Sequence, residues 1–224
     1  MQLYLIRHAE SENNAKPAYA RVEDPPITAL GKIQSEYLAN WLKTFAIDAL
    51  ITSPFRRTLQ TTRSVLDVAE QPLQIWHDVF ERGGCFRGHG PDAIEGGAGL
   101  GRSDIMRLIN HADCQIDESI QESGWWGSKN RETDDETVAR AKQVLKRLTA
   151  CFGSGNPVVA IITHADFKRC LLNEMIGDVV DLGCIGLLRN TGVTKLVYEN
   201  ARWKVQWLNS VTHLPAKLIT GKET

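Results

Sequence analysis

The sequence predicts an α/β fold: a three-layer sandwich with a mostly parallel central sheet, helices on both faces and an antiparallel C-terminal hairpin. Three observations lead there. Short apolar runs alternate with segments of helical periodicity along most of the 224 residues. The run Val158-Val159-Ala160-Ile161-Ile162-Thr163 is almost wholly apolar, as a parallel strand covered on both faces must be. Near the end, Trp203, Val205 and Trp207 alternate with polar neighbours after a Glu199-Asn200-Ala201 turn, which is the pattern of a hairpin strand.

Taken in order, Leu3-Tyr4-Leu5-Ile6 reads as a short buried strand that stops at adjacent Arg7 and His8. A polar stretch follows and closes in Asp24-Pro25-Pro26, which cannot continue a helix. Thr28 is the expected N-cap of a helix whose apolar residues Leu30, Ile33, Tyr37, Leu38, Trp41, Leu42 and Phe45 recur at three- and four-residue spacing. Residues 48–52 form the second strand. Ser53 is placed to cap the next helix, with Pro54 at its first position and Arg56 and Arg57 in its first turn. Residues 71–76 give a weaker third strand.

Residues 83–131 differ in texture. Glycine is frequent there, and periodicity is interrupted except for a short helix at about 103–110. So long an irregular stretch inside one domain is commonly a binding loop, so a substrate-lid insertion is expected. Thr133-Asp134-Asp135-Glu136 is a capping box opening a helix that runs to about residue 151. The strand at 158–163 then ends in His164, and a helix at 165–175 follows. Residues 185–188 and 193–198 read as further strands. The chain is expected to be a single domain over 1–224.

A formal net charge of −1 leaves no global excess to attract nucleic acid or an anionic membrane, so neither is expected as a partner and any anion affinity is local. Five dispersed cysteines without a Cys-x-x-Cys argue against a disulfide framework or zinc knot and point to a reducing cytoplasm. No apolar stretch approaches the ~20 residues that a spanning helix needs.

The chemistry lies at the strand ends. A neutral imidazole can attack phosphorus, and a neighbouring guanidinium offers a planar fork of donors to phosphate oxygens. Arg56 and Arg57 oppose the dipole of the helix they begin, so local stability does not account for them, whereas an anion seated at that helix start would. In a parallel sheet the carboxyl ends of strands share one edge, which brings Arg7, His8, the Arg56-Arg57 turn and His164 to one crevice. His8 and His164 lack metal-ligand spacing, and arginines supply the neutralising charge, so no metal and no cofactor are expected.

These segments resemble the histidine phosphatase superfamily, which includes the cofactor-dependent phosphoglycerate mutases and many phosphomonoesterases. Leu5-Ile6-Arg7-His8-Ala9-Glu10-Ser11-Glu12-Asn13-Asn14 is similar to its Arg-His-Gly signature, with Ala9 in place of glycine. Asp24-Pro25-Pro26-Ile27-Thr28-Ala29-Leu30-Gly31 is similar to its following helix entry, Ser53 to Thr62 to its second arginine segment, and Val159 to Ala165 to its second histidine strand. The resemblance implies that His8 is the phosphorylated nucleophile and that Arg7, Arg57 and His164 hold the transferring group. It also implies that Asn14 is a further phosphate contact and that Glu81 is the proton donor, with Glu95, Glu118 and Glu122 as weaker candidates. Asn190 and His213-Leu214 match more weakly.

Three functions follow from this reading: a phosphomonoester hydrolase, a phosphoglycerate mutase-type phosphotransferase, and a non-catalytic phospho-ligand binding module. Glu81-Arg82 is followed by Gly83-Gly84-Cys85 rather than the mutases' Tyr-Gly, and residues 83–131 hold no Arg-Arg pair, which favours hydrolysis. The expected substrate is a small phosphorylated metabolite or a phosphorylated protein side chain. Phe86, Trp125, Trp126, Arg82, Arg87, Arg102 and Lys129 are the candidates to line its site.

Overall fold

The computed structural model describes residues 1–69, 71–88, 93–178 and 181–221. In chain order its elements are β1 (Gln2–Arg7), α1 (Glu12–Ala15), α2 (Ala29–Leu42), β2 (Ala49–Thr52), α3 (Arg56–Leu66), β3 (Leu73–Ile75), α4 (Arg102–Ile109), β4 (Cys114–Ile116), α5 (Asp134–Phe152), β5 (Val158–Thr163), α6 (Ala165–Ile176), β6 (Val193–Glu199) and β7 (Arg202–Ser210). Among the described residues the strands make one sheet of order β4-β3-β2-β5-β1-β6-β7. Pairings from β4 through to β1 are parallel; β1 with β6 and β6 with β7 are antiparallel.

Period-two alternation along the strands builds two cores. Tyr4 and Ile6 of β1 face α2, α3 and α4 with Leu50, Ala160 and Ile162. Leu3 and Leu5 face α5 and α6 with Ile51, Val159 and Ile161. Each large apolar side chain so buried contributes roughly 1.5–3 kcal/mol. The hairpin closes through Asn200 and Ala201, both at positive φ (50° and 57°), as a tight turn matched to strand twist requires.

Capping follows expectation at two helices and departs from it at a third. Thr28 accepts the Gly31 N–H at 2.9 Å, and Thr133 with Glu136 completes the reciprocal box. Ser53 does not cap α3. Phe55 occupies the cap position without a side-chain bond, and the Arg56 N–H goes instead to Asp24 Oδ1 at 2.9 Å.

Three other expectations are corrected. Ile33 and Tyr37 are exposed, because the buried face of α2 runs through Gly31, Gln34, Ser35, Leu38, Ala39 and Leu42. That face is chosen by polar bonds: Gln34 Oε1 accepts from the Glu10 N–H and its Nε2 donates to the Leu218 carbonyl. Residues 185–188 are irregular, since side chains take their carbonyls: Arg169 bonds Ile185 and Gly186, Asn209 bonds Leu187, and Arg7 bonds Leu188. Segment 83–131 contains β4, which joins β3 in parallel and was not read from sequence. Residues 89–92 of that segment lie outside the described residues.

Gly31 marks the tightest approach of α2 to the chain after β1. A Cβ there would stand 2.1 Å from the Glu10 carbonyl oxygen. Gly31→Ala ordinarily favours a helix, but here it should destabilise the fold by about 1–3 kcal/mol through overpacking against backbone. A fall in urea midpoint reads this directly, and an unchanged or raised midpoint would contradict it.

Candidate active site

The register of three parallel strands assembles the site. Arg7 of β1 pairs with Thr163 of β5, and Thr52 of β2 pairs with Ile162, so the next residue on each strand, His8, His164 and Ser53, emerges at the same edge. The His8 N–H donates to the Thr163 carbonyl at 2.9 Å, and the two imidazole centroids stand 5.2 Å apart. The His8 carbonyl is held in turn by the Thr191 N–H and by Asn190 Nδ2 at 3.1 Å.

Hydrogen bonding assigns the His8 tautomer. Nδ1 lies 2.6 Å from the Ala9 carbonyl and must donate to it, which leaves the Nε2 lone pair outward. Arg57 Nε donates to that lone pair at 3.2 Å. Arg57 sits in the first turn of α3 with its guanidinium 4.0 Å above the Phe55 ring centroid. His164 Nε2 meets Ser53 Oγ at 2.8 Å, while its buried Nδ1 has no hydrogen-bond partner.

Glu81 enters from the irregular segment after β3. Its Oε1 accepts the Arg82 N–H at 2.9 Å and the Phe167 N–H at 3.0 Å, the latter from the first turn of α6. Asn14 Oδ1 accepts from the Ser11 N–H and from Asn190 Nδ2, which leaves the Asn14 amide N–H groups for donation. A cavity of about 670 Å³ opens over this group, lined by Arg7, His8, Asn14, Arg57 and Glu81 and also by Arg21, Phe86, Arg131 and Asp166.

Burial sets the charge states. The His8 pKa lies well below 6.5, first because burial disfavours the imidazolium and then because Arg57 and Arg7 add positive charge. His164 is shifted the same way, by burial and then by Arg57. Glu81 is pushed up to about 7, by burial and next by the Asp166 carboxylate, with Arg57 opposing. Asp24, whose Oδ2 is buried without a hydrogen bond, rises to about 6 for the same leading reason. The site thus couples neutral imidazoles and a protonatable carboxyl with permanently charged guanidinia.

Of the residues expected from sequence, Arg7, His8, Asn14, Arg57, Glu81, Arg82 and Phe86 line the cavity, while His164 lies against His8 and is fully buried. Trp125 and Trp126 belong to the core around Phe55 and Phe80. Arg102 bonds the carbonyls of Ile116 and Asp117, and Lys129 gives its carbonyl to Trp126; neither lines the cavity. Arg87 pairs with Glu23 and Glu95. Glu122 bonds Ser103 at the start of α4, and Glu95, Glu118 and Glu122 are all absent from the cavity wall. Arg21, Arg131 and Asp166 were missed by sequence reading, and no spacing signal sets them apart from surface charges. Among the described residues no three His, Cys, Asp or Glu side chains converge as a metal site.

Comparison with known proteins bears on the family and the fold. The sequence profile of the Histidine phosphatase superfamily (branch 1) matches residues 3–99 and 105–211. A probable phosphoglycerate mutase from Enterobacter sp. (strain 638) is 24% identical over 98% of this chain and 97% of its own. Among solved structures, the α-ribazole phosphatase from Shigella flexneri superposes with a TM-score of 0.62 at 19% identity, covering 94% of this chain and 96% of that one. A phosphoserine phosphatase from Entamoeba histolytica, solved with phosphoserine, does so with a TM-score of 0.63 at 18% identity, covering 96% and 99%. With its profile matched over nearly the whole length and an arginine-histidine pair at the end of β1, this chain belongs to the histidine phosphatase superfamily, branch 1.

Proposed function

We propose that the chain is a metal-independent phosphomonoester hydrolase that works through a phosphohistidine on His8. The observation that carries this reading is the outward Nε2 lone pair of a neutral imidazole, 3.2 Å from an arginine fork, at the floor of a cavity that Glu81 also lines. In the first step Nε2 bonds to phosphorus, the ester P–O bond breaks, and Glu81 delivers a proton to the departing alkoxide. Arg7 and Arg57 neutralise the phosphoryl oxygens, and Asn14 donates to one of them. The buried His164 Nδ1, lacking a partner beside His8, suits a donor to the same group. In the second step Glu81, now ionised, takes a proton from water as the water oxygen displaces His8 from phosphorus.

A cavity of about 670 Å³ is far larger than a phosphate group and accommodates a small phosphorylated metabolite. We read segment 83–131 as the part of a single domain that selects the ester, since Phe86 and Arg131 come from it. The mutase reading is the competitor, because the Enterobacter relative carries that name. The absence of the Tyr-Gly and paired-arginine features favours hydrolysis here. Five dispersed cysteines without a Cys-x-x-Cys support the reading of a reducing cytoplasm as its compartment. No helix among the described residues is long and apolar enough to cross a membrane.

His8→Ala should lower hydrolysis of a generic phosphomonoester to below roughly one-thousandth of wild type and abolish the acid-labile phosphoenzyme. Unchanged turnover would reject covalent catalysis at this residue. Strict dependence on a bisphosphoglycerate primer, with monophosphoglycerate as the preferred substrate, would instead identify a mutase. Because Glu81 must hold its proton in the first step, kcat/KM should fall as pH rises through about 7. Glu81→Gln should remove that limb and lower kcat by about 10²–10⁴; a limb that persists in the variant belongs to another group. Activity should survive EDTA undiminished, and loss restored by a divalent ion would defeat the metal-independent mechanism.

A further inference from the structure

The turn that carries Glu81 is gripped by a buried ion pair that makes no contact with the cavity. Arg140, on α5, donates from Nε and Nη2 to the two carboxylate oxygens of Glu132, both at 2.7 Å. Its remaining nitrogen, Nη1, donates to the carbonyls of Asp78 at 2.9 Å and Phe80 at 3.0 Å. Glu132 holds the other end of the same turn: its Oε2 accepts from the Gly83 N–H at 3.4 Å, and its own N–H donates to the Gly83 carbonyl at 3.1 Å. Residues 78, 80 and 83 are thereby fixed on either side of Glu81.

The guanidinium also reaches the second support of that carboxylate. Its Cζ lies 3.6 Å from the Phe80 ring centroid and 4.0 Å from that of Phe167. Phe167 supplies one of the two N–H groups bonded to Glu81 Oε1, and Arg82, within the gripped turn, supplies the other. Both residues whose N–H groups bond the carboxyl therefore border on one side-chain pair.

Stability is a weak reason for such a pair. Its two side chains are only 9% and 7% exposed, and apolar residues of similar volume commonly replace buried ion pairs at little loss. Apolar residues cannot supply what is used here, namely directional donors and acceptors aimed at three backbone sites. We propose that Arg140 and Glu132 are positioning residues that hold Glu81 where it can protonate the leaving group. This rests on the hydrolase reading and extends it to residues outside the cavity.

The consequence is a selective one. An ester whose leaving group departs as a stable anion needs little proton delivery, whereas a poorer leaving group depends on it. The test compares para-nitrophenyl phosphate with phenyl phosphate, two esters of nearly the same shape, and reads phosphoenzyme formation by rapid quench. Arg140→Lys and Glu132→Gln should slow the phenyl ester by about tenfold to a hundredfold and leave the nitrophenyl ester within about threefold of wild type. Thermal unfolding run alongside reports whether each variant is folded at the assay temperature. An equal loss with both esters, through unfolding or otherwise, or no loss with either, overturns the proposal. A wild-type protein that forms no phosphoenzyme with either ester overturns the hydrolase reading instead.

Discussion

The site depends on the in-register parallel pairing of β1 with β5. Because Arg7 faces Thr163 across that ladder, the two histidines that follow emerge side by side from backbone positions 156 residues apart in sequence (164 − 8). Side-chain period in a strand is two, so a slip of one residue would send one imidazole to the opposite face and break the pair. Two well-separated hydrophobic cores, one on each face of the sheet, oppose such a slip. The placement of the two imidazoles is in this sense a by-product of how Leu3, Leu5, Val159 and Ile161 are buried opposite Tyr4, Ile6, Ala160 and Ile162.

Around this pair the polypeptide concentrates charge in a place that charge ordinarily avoids. Arg7 and Arg57 are 7% and 8% exposed, and His8 and His164 less still. Guanidinium groups tolerate such burial because they cannot shed their proton, whereas an imidazole beside them can, and does. The same low-polarity surroundings raise Glu81. One physical effect, loss of solvation, thus drives His8 to its neutral form and raises Glu81 towards its protonated form, while the guanidinium groups keep positive charge beside them. Asp24 adds to the arrangement from outside the cavity wall: it supplies the acceptor that α3 lacks at its own start, one residue before Arg57.

Segments with weak sequence signals complete the frame. Asn190 joins the His8 carbonyl to Asn14, and its own backbone N–H is bonded to the Thr220 carbonyl. Gln34 on α2 bonds the Leu218 carbonyl and the Thr220 hydroxyl, so residues 218–220 tie α2 to Asn190 beside the site. On the outer side, Gly84 follows Glu81 at φ +77°, where a Cβ would meet the Trp126 ring at 2.4 Å. The aromatic core of segment 83–131 therefore reaches the Glu81 turn through a contact that admits glycine alone. This explains why Trp125 and Trp126 are buried and do not face the cavity.

By itself the sequence determined the strand-helix alternation, the buried central strand, the terminal hairpin and the residues at the strand ends, because each is a local matter of period, cap or turn. Arg7, His8, the Arg56-Arg57 turn and His164 could be named on that basis, and Arg57 over Arg56, Asn14 and Glu81 only through a family resemblance. Tertiary structure decided what has no local period. Which face of α2 is buried is chosen by Gln34 and a glycine contact, so Ile33 and Tyr37 lie exposed. The carbonyls of residues 185–188 go to distant side chains, so an apolar run does not become a strand. Arg140 and Glu132 read as ordinary surface charges of an amphipathic helix and its approach, and only the packing of α5 against the Glu81 turn buries them together. Periodicity records which residues must leave water; it carries no record of which distant partner they will meet there.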